Sequence, residues 1–161
     1  MSRGMPESSI TTIRLATRED AESLFQLERQ AVTASHWSLA EYQRILVGEA
    51  AARIVLVAER PATVAPVGFL VARTVGAEWE IENLAVAPEK QRQGIGKALL
   101  QELFRQAVDM GSRSVMLEVR ESNQPARALY AGAGFQPIAQ REGYYRDPEE
   151  ACVVYQIELV R

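Results

Sequence analysis

The stretch LAVAPEKQRQGIGKALL, Leu84 to Leu100, gathers the residue types needed to hold an anion. Leu84-Ala85-Val86 reads as the end of a strand, Pro88 stops it, and a polar connector from Glu89 to Gln93 follows. From Gly94-Ile95-Gly96 onward, Ile95, Leu99, Leu103 and Leu100, Phe104, Val108 recur at helical spacing. The first turn of a helix carries backbone N–H groups without intrahelical partners, and the helix dipole adds partial positive charge there. Gly94 and Gly96 place no side chain in the way, and Gly tolerates the tight turn. Lys90, Arg92 and Lys97 add positive charge around it. The chemistry implied is phosphate or pyrophosphate binding at a helix N-terminus. The blander alternative is that both glycines only ease a strand-to-helix turn.

Two familiar phosphate motifs do not fit. A Walker loop needs Ser or Thr after its Lys, and Lys97 is followed by Ala98. A dinucleotide fingerprint wants Gly or Ala where Leu99 stands.

The elements around the loop follow from pattern. Ile13-Arg14-Leu15 reads as a first strand after a polar tail over 1–11, leaving one domain over 12–161. Thr17 is placed to cap a helix with the stripe Ala21, Leu24, Phe25, Glu28, Ala31, Val32. A bend at Ser35-His36-Trp37-Ser38 precedes a second helix, with Ser38 and Glu41 as a capping box. Strands follow over Arg53–Ala58, Val67–Val75 and Glu78–Val86. In a regular third strand, Trp79, Ile81 and Asn83 share one face and Glu80, Glu82 and Leu84 the other; the change of polarity after Glu82 would suit a bulge. The long helix ends near Gly111, and Ser114–Arg120 alternates as a strand with Met116, Glu118 and Arg120 on one face. A helix over 124–131, a strand over 135–140, a charged loop over 141–150 and a last strand over 151–159 complete the chain. The order β-α-α-β-β-β-α-β-α-β-β predicts an α/β domain with a mixed sheet covered by helices.

That order, and the run Gln91-x-x-Gly94-x-Gly96, resemble the GNAT acetyltransferases and their Gln/Arg-x-x-Gly-x-Gly/Ala signature. Leu117-Glu118-Val119-Arg120-x-Ser122-Asn123, Ala128-Leu129-Tyr130, Gly134-Phe135 and Tyr144-Tyr145 are similar to the RimI branch. The resemblance implies a mixed, mostly antiparallel sheet and acetyl-CoA as co-substrate, without a metal. It implies transfer to a protein α-amine, the N-terminal alanine of a small-subunit ribosomal protein. Leu84, Ala85 and Val86 would hold the pantetheine arm, and Gln91, Arg92, Gln93, Gly94, Ile95, Gly96 and Lys97 the pyrophosphate. Asn123 would bond the cofactor, Glu118 would be the base and Tyr130 the acid. Trp37, Tyr144 and Tyr145 are candidates for the acceptor groove.

Each residue has a plainer reading. Glu118 can be a solvated strand residue, Tyr130 a helix core residue, Asn123 a helix cap and Trp37 a packing residue. Acetylation of a lysine or small amine, and a CoA-sensing module without turnover, stay open as alternatives. Cys152 is the lone cysteine, so no intrachain disulfide forms and a cytoplasmic setting is expected. It sits in an apolar run and reads as packing. His36 is the single histidine, which argues against a histidine mechanism or metal cluster. With 18 basic and 21 acidic side chains the net charge is −3, which does not suggest a general nucleic-acid binder. No apolar run approaches the roughly 20 residues of a membrane span.

Overall fold

The computed structural model describes residues 10–31, 36–48 and 52–159. Most of the expected tail (1–9), Val32 of the first stripe and Ser35 of the bend lie outside the described residues. The elements are β1 (Thr12–Leu15), α1 (Ala21–Gln30), α2 (Leu39–Leu46), β2 (Arg53–Glu59), β3 (Gly68–Val75), β4 (Glu78–Val86), α3 (Ile95–Asp109), β5 (Ser114–Arg120), α4 (Gln124–Gly132), β6 (Gln136–Tyr145) and β7 (Glu150–Glu158). This is the predicted order. Short 3₁₀ turns at Arg18–Asp20 and Pro88–Lys90 lead into α1 and towards α3.

The sheet runs β1-β2-β3-β4-β5-β7-β6. All neighbours are antiparallel except β4 and β5. That parallel pair requires a crossover, and α3 supplies it. β2 and β3 are almost wholly apolar because helices cover both faces. Ile54, Leu56, Ala58, Leu70 and Ala72 pack with Leu99, Leu100 and Leu103 of α3 and Tyr130 of α4. Val55, Val57, Phe69 and Val71 pack with Leu24 and Leu27 of α1 and Tyr42 of α2.

β4 departs from the regular alternation. Its pairing passes from Ala72↔Ile81 to Val71↔Asn83, so Glu82 is an extra residue and the strand bulges there. Leu84 and Val86 therefore join Trp79 and Ile81 in the α3 layer, while Ala85 and Ala87 join the α1–α2 layer. Asn83 is turned towards α1 and α2, opposite the face expected of a regular strand. Its amide donates to Glu28 Oε1 (3.1 Å) and to the Tyr42 hydroxyl oxygen (3.0 Å). Glu28 is only 1% exposed. It also accepts from the Trp37 N–H (3.0 Å) and the Tyr42 hydroxyl (2.9 Å), so donors surround the buried carboxylate.

Ser38 caps α2 as read, whereas the N-cap of α1 is Asp20 and Thr17 stands one 3₁₀ turn earlier, because Arg18–Asp20 wind into that turn before the helix begins. The Ser38 hydroxyl accepts the Glu41 N–H at 3.1 Å. The Asp20 carboxylate accepts the Thr17 N–H at 2.7 Å and grips Arg14 of β1. Another expectation fails. The segment 141–145, expected in a loop, continues β6, and the turn is confined to 146–149. β6 is an edge strand exposed along nearly all its length, so it lacks the apolar alternation that would reveal it.

Candidate active site

The site begins where β4 and β5 part. Their pairing stops at Ile81↔Leu117, one residue before the Glu82 bulge, while β5 goes on pairing with β7 as far as Arg120↔Cys152. Past the bulge, residues 83–86 pair with β3 but no longer with β5. Such an edge can hydrogen-bond an extended, amide-bearing ligand as another strand would. Leu84, Ala85 and Val86 form it.

α3 starts beyond this edge. Gly94 is its N-cap with φ 80°, and no side chain caps the first turn. The Ala98 N–H to Gly94 carbonyl bond (3.0 Å) opens the helix, and the N–H groups of Ile95, Gly96 and Lys97 precede it. Arg92 also has positive φ, 61°, so the loop folds back on itself just before the helix. Arg92 and Lys97 are exposed and Lys90 half-buried, and none makes an ion pair among the described residues. Gln91 Nε2 donates to the Val86 carbonyl and Gln93 Nε2 to the Glu89 carbonyl, each at 3.4 Å. Free donors, unpaired cations and open space at Gly94, where an added Cβ would meet nothing within 4 Å, fit a pyrophosphate.

The two glycines serve different purposes. A Cβ on Gly96 would come within 3.0 Å of Leu129 Cδ2, so Gly96 lets α4 pack against α3. Ile95 is 1% exposed, and only its backbone is available to a ligand. Gly68, which drew no attention in the sequence, has the same packing duty. Its Cβ would lie 3.1 Å from both the Ala85 carbonyl oxygen and Ile95 Cγ2. A glycine opening a strand of bulky residues was the available signal.

Glu118 is the first β5 residue past the paired stretch. It faces away from Leu117 and Val119, which lie in the α3 layer. Its Oε1 is 3.5 Å from Arg141 Nη1. Interaction with the Glu118 carboxylate is the main reason the Tyr144 phenol is pushed up to about 12. Tyr144 and Tyr145 meet edge to face at 5.0 Å, and Arg120 lies 4.3 Å over the Tyr145 ring. Tyr130 lies in the opposite layer, among Phe135 (5.6 Å) and Tyr155 (6.4 Å). Its hydroxyl makes no hydrogen bond among the described residues, and burial pushes its pKa above the ordinary phenol value. The ring is core; the hydroxyl is uncommitted.

Residues 14–135, from β1 through α4, match the acetyltransferase (GNAT) family. The chain belongs to that family. It is 42% identical over 93 residues to ribosomal protein bS18-alanine N-acetyltransferase of Escherichia coli K12, covering 56% of this chain and 63% of the relative. The match thus spans less than two thirds of that relative's length. The Haemophilus influenzae protein of the same name is 35% identical over 129 residues, covering 80% of this chain and 84% of its own. The crystal structure of the Escherichia coli ribosomal-protein-S18-alanine N-acetyltransferase superposes with a TM-score of 0.81 at 27% identity, covering 94% of this chain and 96% of that one.

The remaining candidates can be placed within this GNAT domain. Asn123 caps α4, its Oδ1 accepting the Ala126 N–H at 3.2 Å, which leaves its amide N–H groups for a ligand. Trp37 is half-buried with its ring 5.5 Å from Tyr42, and its N–H is bound to Glu28. Cys152 is fully buried, as read, and burial raises its thiol pKa. It nonetheless stands close enough to Tyr145 and Glu118 to interact with both, a proximity set by β5–β7 and β6–β7 register. Arg141 was missed because it lay in a segment read as loop. Among the described residues, no group of three His, Cys, Asp or Glu side chains is arranged to hold a metal, and no helix is long and apolar enough to cross a membrane.

Proposed function

We propose that this GNAT protein transfers the acetyl group of acetyl-CoA to the α-amine of a protein N-terminus, the N-terminal alanine of a small-subunit ribosomal protein. The observation that carries the reading is the unpaired β4 edge, lying between an uncapped, cation-rich helix start and the Glu118 carboxylate. The acceptor class is supported by the relatives that are named for bS18-alanine acetylation. Leu84, Ala85 and Val86 hold the pantetheine arm, the backbone from Gln91 to Lys97 the pyrophosphate, and the Asn123 amide a further cofactor group. Trp37, Tyr144 and Tyr145 border the acceptor. The reaction belongs to the cytoplasm, where the lone Cys152 stays reduced.

When bound, acetyl-CoA supplies the thioester carbonyl. An α-amine has a reference pKa of about 7.7–8.0, so near neutrality much of it is ammonium and must lose a proton before attack. Glu118, directly or through one water, accepts that proton. Backbone N–H groups on the open β4 edge steady the developing oxyanion. As the C–S bond breaks, Tyr130 would donate its phenolic proton to the leaving sulfur, whose thiol has a reference pKa near 8.5, and the proton released by the acetylated nitrogen would restore the phenol. Burial keeps the Tyr130 phenol protonated until then.

The test is a peptide that begins with Ala and contains one internal lysine, incubated with acetyl-CoA. Released thiol should match label on the α-amine, located by mass spectrometry. At pH 7.5 about one lysine amine in a thousand is neutral, against about a quarter to two fifths of α-amines. Label mainly on lysine would move the activity to a side-chain or small-molecule amine. Cofactor binding without thiol release would leave a CoA-sensing module.

A further inference from the structure

Arg60, just past the end of β2, is 7% exposed. The other two buried charged side chains among the described residues have evident partners. Asp20 is held by Arg14 at 2.7 Å, and Glu28 is surrounded by donors. Among the described residues Arg60 has no carboxylate partner. Its Nη1 donates to Gln93 Oε1 and its Nε to Thr11 Oγ1 at 3.3 Å, and both acceptors are neutral. The adjacent Glu59 is taken by Arg14 at 2.7 Å. A guanidinium withdrawn from water without a counter-charge is costly, and such charges are ordinarily paired.

Its chief contact locates the missing anion. Gln93 stands between Arg92 (φ 61°) and Gly94 (φ 80°), the two left-handed residues that bend the loop into the start of α3. A left-handed conformation at a non-glycine residue such as Arg92 persists only where its surroundings hold it. The Gln93 side chain is tied at both ends, its oxygen to Arg60 and its amide to the Glu89 carbonyl at 3.4 Å. Arg60 thus grips the middle of the anion loop and brings an unneutralised charge to it.

We infer that Arg60 is a positioning residue for the phosphorylated end of the donor. It fixes the Gln91–Gly96 loop through Gln93, and its charge is neutralised when the diphosphate of CoA binds. This rests on acetyl-CoA being the co-substrate.

The test compares two donors, acetyl-CoA and S-acetyl-N-acetylcysteamine, a thioester that lacks every phosphate. Arg60→Met should raise the acetyl-CoA Kd by at least about tenfold, as read by calorimetry. Its loss of kcat/KM should be at least about tenfold greater with acetyl-CoA than with the truncated thioester. Arg60→Lys, which keeps the charge, should recover part of the loss. The ligand-free Arg60→Met protein should melt no lower than wild type, since an unpaired buried charge has gone. Gln93→Ala, on the exposed loop, should weaken acetyl-CoA in the same direction without touching the core. Equal losses with both donors would mean a structural role alone and overturn the inference, as would unchanged acetyl-CoA affinity in both variants. Wild-type protein that does not bind acetyl-CoA would overturn the proposed co-substrate, and Arg60's role with it.

Discussion

In the proposed reaction Glu118 takes a proton before attack and Tyr130 gives one after it, so their removal should respond differently to pH. Glu118→Gln should lose most below about pH 7.5, where the amine is chiefly ammonium, and less above pH 9, where solvent has removed the proton. The loss at low pH should reach roughly 10²–10⁴-fold, the usual worth of a general base. Tyr130→Phe should not recover at high pH, because its donor is needed at the leaving group. Both should retain acetyl-CoA affinity. The measurement is kcat/KM for an Ala-initiated peptide from about pH 6 to 9.5, and parallel profiles would contradict the division of roles. At this scale the sequence was partly legible. Two-residue alternation put Glu118 on the face opposite Leu117 and Val119, and a helical stripe put Tyr130 inward. Arg60 and Arg141 were not legible. Their partners, Gln93 and Glu118, are 33 and 23 residues away in sequence, and only loop geometry and sheet register bring them together.

Between elements, the two glycines of the α3 start separate conformation from packing. Gly94 has a positive φ and open surroundings, so Gly94→Ala should cost about 1–2 kcal/mol of backbone strain with no clash. Gly96 abuts Leu129, so Gly96→Val should cost about 1–3 kcal/mol by overpacking α3 against α4. Urea denaturation of a double-mutant cycle distinguishes the two. Leu129→Ala should cost less stability in the Gly96→Val background than in wild type, while its effect should simply add to that of Gly94→Ala. Additivity in both would mean that a side chain introduced at position 96 does not meet Leu129. The motif itself announced a tight turn and a phosphate, whereas the packing reason needed α4 in place. The same limit applies to β4. Composition hinted at a bulge, but the position of the extra residue was fixed only by pairing with β3, and it reversed the expected face of Asn83. β6 beyond Gln140 was hidden because an edge strand in water has no apolar face to read.

For the whole molecule, the parted strands divide the sheet. β1 to β4 form one part and β5 to β7 the other, joined across β4–β5 by four residue pairs. α3 and α4 meet across the same division at Gly96 and Leu129. The proposed acetyl-CoA site draws on both parts, with Leu84–Val86 and the Gln91–Lys97 loop on one and Asn123 on the other. A ligand seated there ties the parts together and binds only the folded chain. At a free concentration of 100 times Kd it adds about 2.7 kcal/mol of stability. For a chain of this length each kcal/mol is worth roughly 2–4 °C, so Tm should rise by about 5–11 °C. Amide hydrogen exchange should slow in residues 84–86, in the first turn of α3 and at the start of α4, because these segments lose their open edge together. The second helical layer, α1 and α2, meets the proposed site only from behind, through the packing of Ala85 among the described residues, and should slow less than the segments that contact the ligand. A Tm that stays constant at saturating acetyl-CoA, or protection confined to the Gln91–Lys97 loop, would mean that the cofactor does not span the division.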